Sequence, residues 1–267
     1  MLPSYTAHAL RCFGAAPGDG NPALVIEDDA SPAAARQAFA RERNTTCVWI
    51  DPAPQDGIAA TVDFYYPHTR SPLCLHATLA AAQLLFARHG AAVPLTVRTA
   101  VHGQELGLAR IGDDLFVRLA PQEVAQPALD PGLIPRLLRV SDAALTGAAQ
   151  VASVGSPKLL VEVRTAAELH ALAPDLEAIA AWSKNTGVNG MYAWCRHADD
   201  VFEGRNFNHL DPRLEDSATG VAAGALSVLL GRGLTLRQGK ASGRDCLIRT
   251  RIEDGAVLVG GRVEALP

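Results

Sequence analysis

Short runs of apolar and β-branched residues alternate with turn residues through the first half of the chain: Ala7–Phe13, Ala23–Ile26, Thr46–Ile50, Ala60–Tyr65, Leu95–Thr99, Glu105–Arg110 and Leu115–Leu119. Runs of this length, bounded by Gly, Pro, Asn and Asp, predict the strands of a curved, mainly antiparallel sheet. A helix is predicted over Pro32–Arg43, with Ser31 as N-cap and Pro32 in the first turn. A second, His76–Arg88, is apolar on nearly every side and stops at Gly90. Such a helix belongs inside something.

The second half repeats this grammar. Strands are expected at Ala149–Val154, Lys158–Val163, Gly190–Cys195, Cys246–Glu253 and Ala256–Glu264, and helices at Ala166–Ala173 and Pro174–Asn185. Another all-apolar helix runs over Thr219–Leu230 and ends at Gly231. Between the halves, Pro121–Pro135 is proline-rich and irregular, as a connection would be. The expected domains are therefore 1–122 and 123–267, with the last strand a candidate to pack on the first domain.

The two apolar helices resemble each other. Both HATLAAAQLL from His76 and SATGVAAGAL from Ser217 place Ala-Thr at the start and an Ala pair one turn on. A duplicated domain, each half wrapping a sheet around its own central helix, explains this better than chance does. Both helix N-termini are then expected to face one interdomain cleft, where unpaired N–H groups and positive dipole ends seat a carboxylate.

Composition narrows the function. At 267 residues, 19% charged and with a formal net charge of −4, the chain has the balance of a soluble globular protein. It lacks the basic field that nucleic acid or anionic lipid requires, so neither nucleic acid nor membrane is expected as a partner. The start shows no secretory pattern and no stretch approaches the ~18 apolar residues needed to span a bilayer, so a cytoplasmic location is expected. Five scattered cysteines without a C-x-x-C pair read as free thiols, and the eight histidines form no zinc motif, so no metal is expected.

Four segments then carry a resemblance. DGNPALV from Asp19 resembles the G-N-P-x-x-V segment of PhzF-like proteins, and LCLHATLA from Leu73 resembles their L-x-G-H-A-T-L-A. LEDSATGVAAG from Leu214 resembles E-D-P-A-T-G-S-A-A-G, and Gln238-Gly, Gly243-Arg and Gly260-Gly resemble the family's C-terminal signature. The matches fall in order and cover about the whole chain. The resemblance implies an α+β fold of the diaminopimelate-epimerase type: two similar domains, each a curved sheet around a central apolar helix. It also implies a homodimer, no cofactor, and a small carboxylate substrate on which a proton is moved at carbon.

Carried over residue by residue, Asp216 stands where the family keeps an acid–base aspartate, and His76 matches the histidine of its G-H-A-T motif. Glu215 reads as a structural or solvated charge. The family's catalytic glutamate follows A-R-E-x-N-x-S-E, whereas this chain reads ARERNTTC from Ala40, which puts Cys47 at that place in an ungapped alignment. A thiol with a lowered pKa can move a proton from carbon. The alternatives are a buried cysteine in a strand and a gapped alignment that leaves no base there. Cys74 resembles the first active-site cysteine of diaminopimelate epimerase; the second has no counterpart in Ser217–Gly220. Cys74, Leu75, Ala77, Thr78, Thr219, Gly220 and Val221 are the candidate substrate-binding residues, with Thr78 and Thr219 as caps of the two helices. Leu75 replaces a glycine and Val221 a serine of the motif, which argues for an altered substrate, an altered reaction or lost catalysis. An epimerase, racemase or proton-shift isomerase is the leading reading. Its rivals are a catalytically silent binding protein and a lyase or dehydratase.

Overall fold

The structure is a computed structural model describing residues 5–90, 93–207 and 215–266. In chain order the elements are β1 (Thr6–Cys12), β2 (Asn21–Glu27), α1 (Ala33–Arg43), β3 (Thr46–Asp51), β4 (Ala60–Tyr65), β5 (Arg70–Ser71), α2 (Leu75–His89), β6 (Leu95–Thr99), β7 (Glu105–Ile111) and β8 (Asp114–Leu119). There follow α3 (Leu133–Leu138), β9 (Leu145–Ala152), β10 (Lys158–Val163), α4 (Ala166–Ala171), α5 (Leu176–Thr186), β11 (Met191–Arg196) and β12 (Val201–Phe207). The chain closes with α6 (Gly220–Leu230), β13 (Thr235–Gln238), β14 (Cys246–Glu253), β15 (Ala256–Gly261) and β16 (Val263–Ala265).

Two compact units result. One runs as far as Arg118 and takes back the segment from Gly260; the other is Leu119–Val259. Strand order in the first unit is β16-β1-β2-β3-β4-β6-β7-β8, and in the second β15-β14-β13-β12-β11-β10-β9. The duplication expected from the two apolar helices is visible in the pairing. β1–β2 is antiparallel, β2–β3 parallel, β3–β4 antiparallel, β4–β6 parallel and β6–β7 antiparallel. The second unit repeats the series from β9–β10 to β13–β14. Every parallel pair is bridged by a helical crossover, as parallel strands require: α1 and α2 in one unit, α4–α5 and α6 in the other.

Register assigns side chains to faces. In the first unit the Cys12 thiol donates to the His76 carbonyl at 3.0 Å, so the face of β1 carrying Cys12 is the α2 face. The pairs Cys12–Asn21, Ala23–Thr46 and Val25–Val48 extend that face across the sheet. The opposite face carries the pairs Leu24–Cys47, Ile26–Trp49 and Cys47–Tyr65, and there Cys47, Trp49 and Tyr65 pack with Ala40 of α1. In the second unit Leu159, Val161, Val163, Met191, Ala193, Cys195 and Phe207 form a core with α3, α4 and α5. The alternate residues, with Leu160, Tyr192 and Asn206 in register, face the other way, toward α6.

The structure differs from the sequence expectation at several elements. Ser31 does not cap α1: Pro32 holds the N-cap position without a side-chain bond, and the Ser31 hydroxyl donates to Asp29 Oδ1 at 2.5 Å. The expected last strand is two, β15 and β16. The proline-rich connection contains α3, because Pro135 falls in the first turn, where a missing N–H costs nothing. Strands β12 and β13 have no counterpart in the sequence reading.

Candidate active site

In the second unit the chain enters α6 through Glu215 and Asp216. Arg205 grips the Glu215 carboxylate with two parallel bonds, Nε to Oε1 at 2.9 Å and Nη2 to Oε2 at 2.7 Å, and a further guanidinium nitrogen reaches the Leu169 and Leu172 carbonyls at 2.9 Å each. Glu215 is thus an anchor. Asp216 forms an isolated antiparallel bridge with Asn206 of β12, which places the two side chains beside each other on the α6 face. Asn206 is fully buried, and neither of its amide atoms has a hydrogen-bond partner among the described residues.

A polar chain holds the start of α6. The Tyr192 hydroxyl donates to Gln238 Oε1 at 3.0 Å, and the Thr219 backbone N–H donates to the same oxygen at 3.2 Å. Gln238 Nε2 donates to the Asp216 carbonyl at 2.8 Å and to Thr219 Oγ1 at 3.0 Å. The Thr219 hydroxyl, its lone pair so engaged, donates onward to Asp216 Oδ2 at 2.6 Å. A hydroxyl that accepts from an amide is a better donor to a carboxylate, so the links reinforce one another. Gly204 makes room for this arrangement: a Cβ there would lie 2.1 Å from the Tyr192 hydroxyl oxygen. Burial, with the Asp216 charge adding to it, holds the Tyr192 phenol well above its ordinary pKa, so it stays a donor.

Thr219 occupies the N-cap position but makes no side-chain cap bond, and its hydroxyl serves Asp216 instead. The opening N–H groups of the helix, from Gly220 and Val221, therefore point out of it with the positive end of the dipole. Lys158, at the head of β10 and on the α6 face, is 1% exposed. Its ammonium donates to the Asn189 carbonyl. Burial lowers its pKa to about 8, against the raising influence of the Asp216 charge.

In the first unit the corresponding helix start is softer. Cys74 is the N-cap of α2, again with no side-chain cap bond. Its Sγ lies 3.4 Å from His76 Nδ1 and accepts the Tyr66 hydroxyl at 3.4 Å. Burial alone brings the His76 imidazole to about 4, so the ring is neutral at physiological pH. Thr78 does not cap α2 either: it sits four residues in, and its hydroxyl donates back to the Cys74 carbonyl at 2.8 Å. Leu75 and Ala77 are buried in the first turn.

Cys47 is elsewhere. Its side chain is fully buried on the α1 face of the sheet, with Trp49 and Tyr65, on the side opposite Cys74 and His76. Burial pushes its thiol up to about 12, only partly countered by Arg43. This is the placement of a buried cysteine in a strand. The sequence-derived candidates thus form two groups: Cys74, Leu75, His76, Ala77 and Thr78 around the start of α2, and Asp216, Thr219, Gly220 and Val221 around the start of α6. Tyr192, Asn206 and Lys158 join the second group without having been singled out in the sequence, and Gln238, noted there only as part of the C-terminal signature, joins it too. The available signal was alternation, since Lys158 and Leu160 share a face with Tyr192 once β10 and β11 are registered.

Comparison with known proteins gives the chain's family. An uncharacterized isomerase, YddE, of Escherichia coli (strain K12) is 29% identical over 265 residues, covering 90% of this chain and 87% of that protein. An uncharacterized isomerase of Deinococcus radiodurans is 30% identical over 263 residues, covering 90% and 82%. The structure of a predicted epimerase from Pseudomonas aeruginosa superposes with a TM-score of 0.80 at 26% identity over 98% of this chain and 96% of that one. The model of the phenazine biosynthesis-like proteins, PhzC-PhzF, matches residues 10–265. The chain belongs to the PhzC-PhzF family of phenazine biosynthesis-like proteins.

Proposed function

We propose that this protein is a cofactor-independent isomerase that moves a proton at a carbon next to a carboxylate of a small metabolite, with Asp216 as its acid–base group. The observation that carries the reading is the Asp216 carboxylate itself: oriented by the Thr219 hydroxyl at 2.6 Å, three residues ahead of an uncapped helix start. A fixed carboxylate can take the proton, and the helix N-terminus can hold the substrate carboxylate and the enolate charge that develops on it. The relatives named isomerases support the reaction class.

Cys74 and His76 are the second acid–base candidates. The Cys74 Sγ lies 3.4 Å from the neutral His76 ring, and a thiol there can donate a proton to a carbanion, leaving a thiolate beside the ring. A proton taken and returned by Asp216 alone gives a shift along the substrate. Cys47 has no part in this reading, because a thiol raised to about 12 inside an apolar cluster is a poor base.

The test is solvent deuterium incorporation across a panel of amino-acid and hydroxy-acid carboxylates, read by proton NMR with wild type and Asp216→Asn. Incorporation at carbon by wild type and its loss in the variant is the expected result. Saturable binding with no incorporation for any carboxylate would replace the enzyme with a binding protein, and a product lacking the elements of water or ammonia would replace the isomerase with a lyase.

A further inference from the structure

A side-chain amide taken out of water keeps its donor and its acceptor bonded in most folds, because a bond left unmade there costs free energy. Asn206 of β12 breaks that rule with both of its polar atoms. It is 0% exposed, and neither Oδ1 nor Nδ2 has a hydrogen-bond partner among the described residues. Such an amide calls for a partner that the resting arrangement does not offer.

The register names its neighbours. Asn206 pairs with Tyr192 of β11 on one side and is bridged to Asp216 on the other, so the three side chains leave the sheet on the α6 face. The Tyr192 hydroxyl lies over Gly204, where a Cβ would come within 2.1 Å of it, and it donates to Gln238. The other polar neighbour in the row is Asp216, whose Oδ2 accepts from the Thr219 hydroxyl at 2.6 Å. Opposed antiparallel residues hold their Cβ atoms about 5 Å apart, near enough for an amide and a carboxyl to meet by turning about their own side-chain bonds. Elsewhere on the α6 face the titratable and charged groups are Lys158 and Glu162 of β10, Tyr192 and Arg196 of β11 and Cys246 of β14; β9, β12, β13, β15 and α6 present none there. Beside Asp216, Glu215 is held by Arg205, and Lys240, Arg244 and Asp245 follow β13. None of these bonds the Asn206 amide.

An ionised carboxylate only accepts, so it has nothing to give to Asn206 Oδ1; a protonated carboxyl has an O–H to donate. Acid and primary amide are then complementary, and one pairing satisfies both atoms of Asn206. Oδ2 of Asp216 can accept from Thr219 and from the amide together, because a carboxyl oxygen carries two lone pairs.

We propose that Asn206 is a positioning residue for the protonated form of Asp216: once Asp216 has taken a proton from the substrate carbon, its new O–H donates to Asn206 Oδ1 and Asn206 Nδ2 donates back to Asp216 Oδ2. The electron pair of the broken C–H bond stays on the substrate as the enolate, the proton goes to Asp216, and no further reactant is needed. Asn206 acts through Asp216, by stabilising the acid form and so raising the basicity of the carboxylate. That meaning rests on Asp216 being the acid–base group, but the pairing can be read without turnover.

The experiment is a carboxyl 13C titration of protein labelled at aspartate Cγ, with the Asp216 resonance assigned by its loss in Asp216→Asn. In Asn206→Leu and Asn206→Val the Asp216 midpoint is expected to fall by about half to one pH unit, since only the acid form has lost a bond. More apolar surroundings alone would raise it, so the sign separates the pairing from a change in polarity. Both variants are expected to unfold at the same or higher denaturant concentration at pH 7, because the amide they remove is unbonded there. A merely structural asparagine would instead lose stability and leave the midpoint alone. Should one variant fail to fold, the other carries the measurement. A midpoint that does not fall overturns the proposal even if Asp216 proves catalytic; a lowered midpoint in a protein that exchanges no substrate leaves the pairing standing and removes the isomerase.

Discussion

The two helix starts are built on the same scaffold and carry opposite chemistry. Each follows an antiparallel strand pair, opens a crossover to a parallel strand, and leaves its first turn without a side-chain cap. At α2 the nearby groups are a thiol and a neutral imidazole. At α6 they are a carboxylate, a buried ammonium and a relay of Tyr192, Gln238 and Thr219. The difference teaches that duplication repeated the helix start, while the groups around it differ in origin: at α2 they lie on the N-cap and first turn of the helix itself, and at α6 they come from the segment ahead of it and from strands β10, β11 and β13.

The sharpest way to break this comparison is to disable each start in turn. Asp216→Asn keeps the bond to Thr219 but cannot take a proton, and is expected to lower kcat by about 10³-fold, whereas Cys74→Ala, which removes a neutral donor, costs about 10²-fold. Steady-state rates and deuterium incorporation check both, and equal losses would mean that the halves do not differ as described. Next in size is acid stability. His76 titrates near 6.5 when unfolded and at about 4 when folded, so the folded state is the poorer proton binder. The stability this confers is complete above 6.5 and is lost as pH falls from there toward 4, amounting to about 2 to 3 kcal/mol by pH 4.5. Denaturant unfolding at pH 7 and 4.5 should show His76→Gln losing less than wild type over that interval; equal losses would mean that His76 is not buried and neutral. The smallest effect is expected at Cys47, where Cys47→Val should leave the rate within about twofold and stability within about 1 kcal/mol, since a buried thiol and an isopropyl group are both small and apolar. A rate loss comparable to that of Cys74→Ala would return Cys47 to the chemistry.

Much of this was legible in the sequence, for identifiable reasons. Strands such as Ala60–Tyr65, Leu95–Thr99, Lys158–Val163 and Cys246–Glu253 coincide end to end with their apolar or alternating runs, because their pattern is set by burial alone. Strand β12 was hidden because its sequence, VFEGRNF, mixes charges, an amide and a glycine. Those residues are satisfied only by long-range partners: Glu203 by two histidines, Arg205 by Glu215, and Gly204 by the Tyr192 ring. At the site, Asp216, His76 and Cys74 were reachable because their local motifs resemble a family's. Lys158 and Tyr192 were not, since their place depends on register between strands more than 30 residues apart in sequence. Cys47 shows the converse, a motif position whose meaning changes with one residue of strand phase.

The contact between Gly204 and Tyr192 has a consequence for how this family member can change. With no space for even a methyl group under the phenol, position 204 cannot take up a side chain one step at a time while tyrosine remains opposite. The two positions are bound to drift together or not at all, so a lineage that loses the phenol gains a freedom at 204 that the present protein does not have. Descendants on either side of that double change would sit on separate adaptive paths.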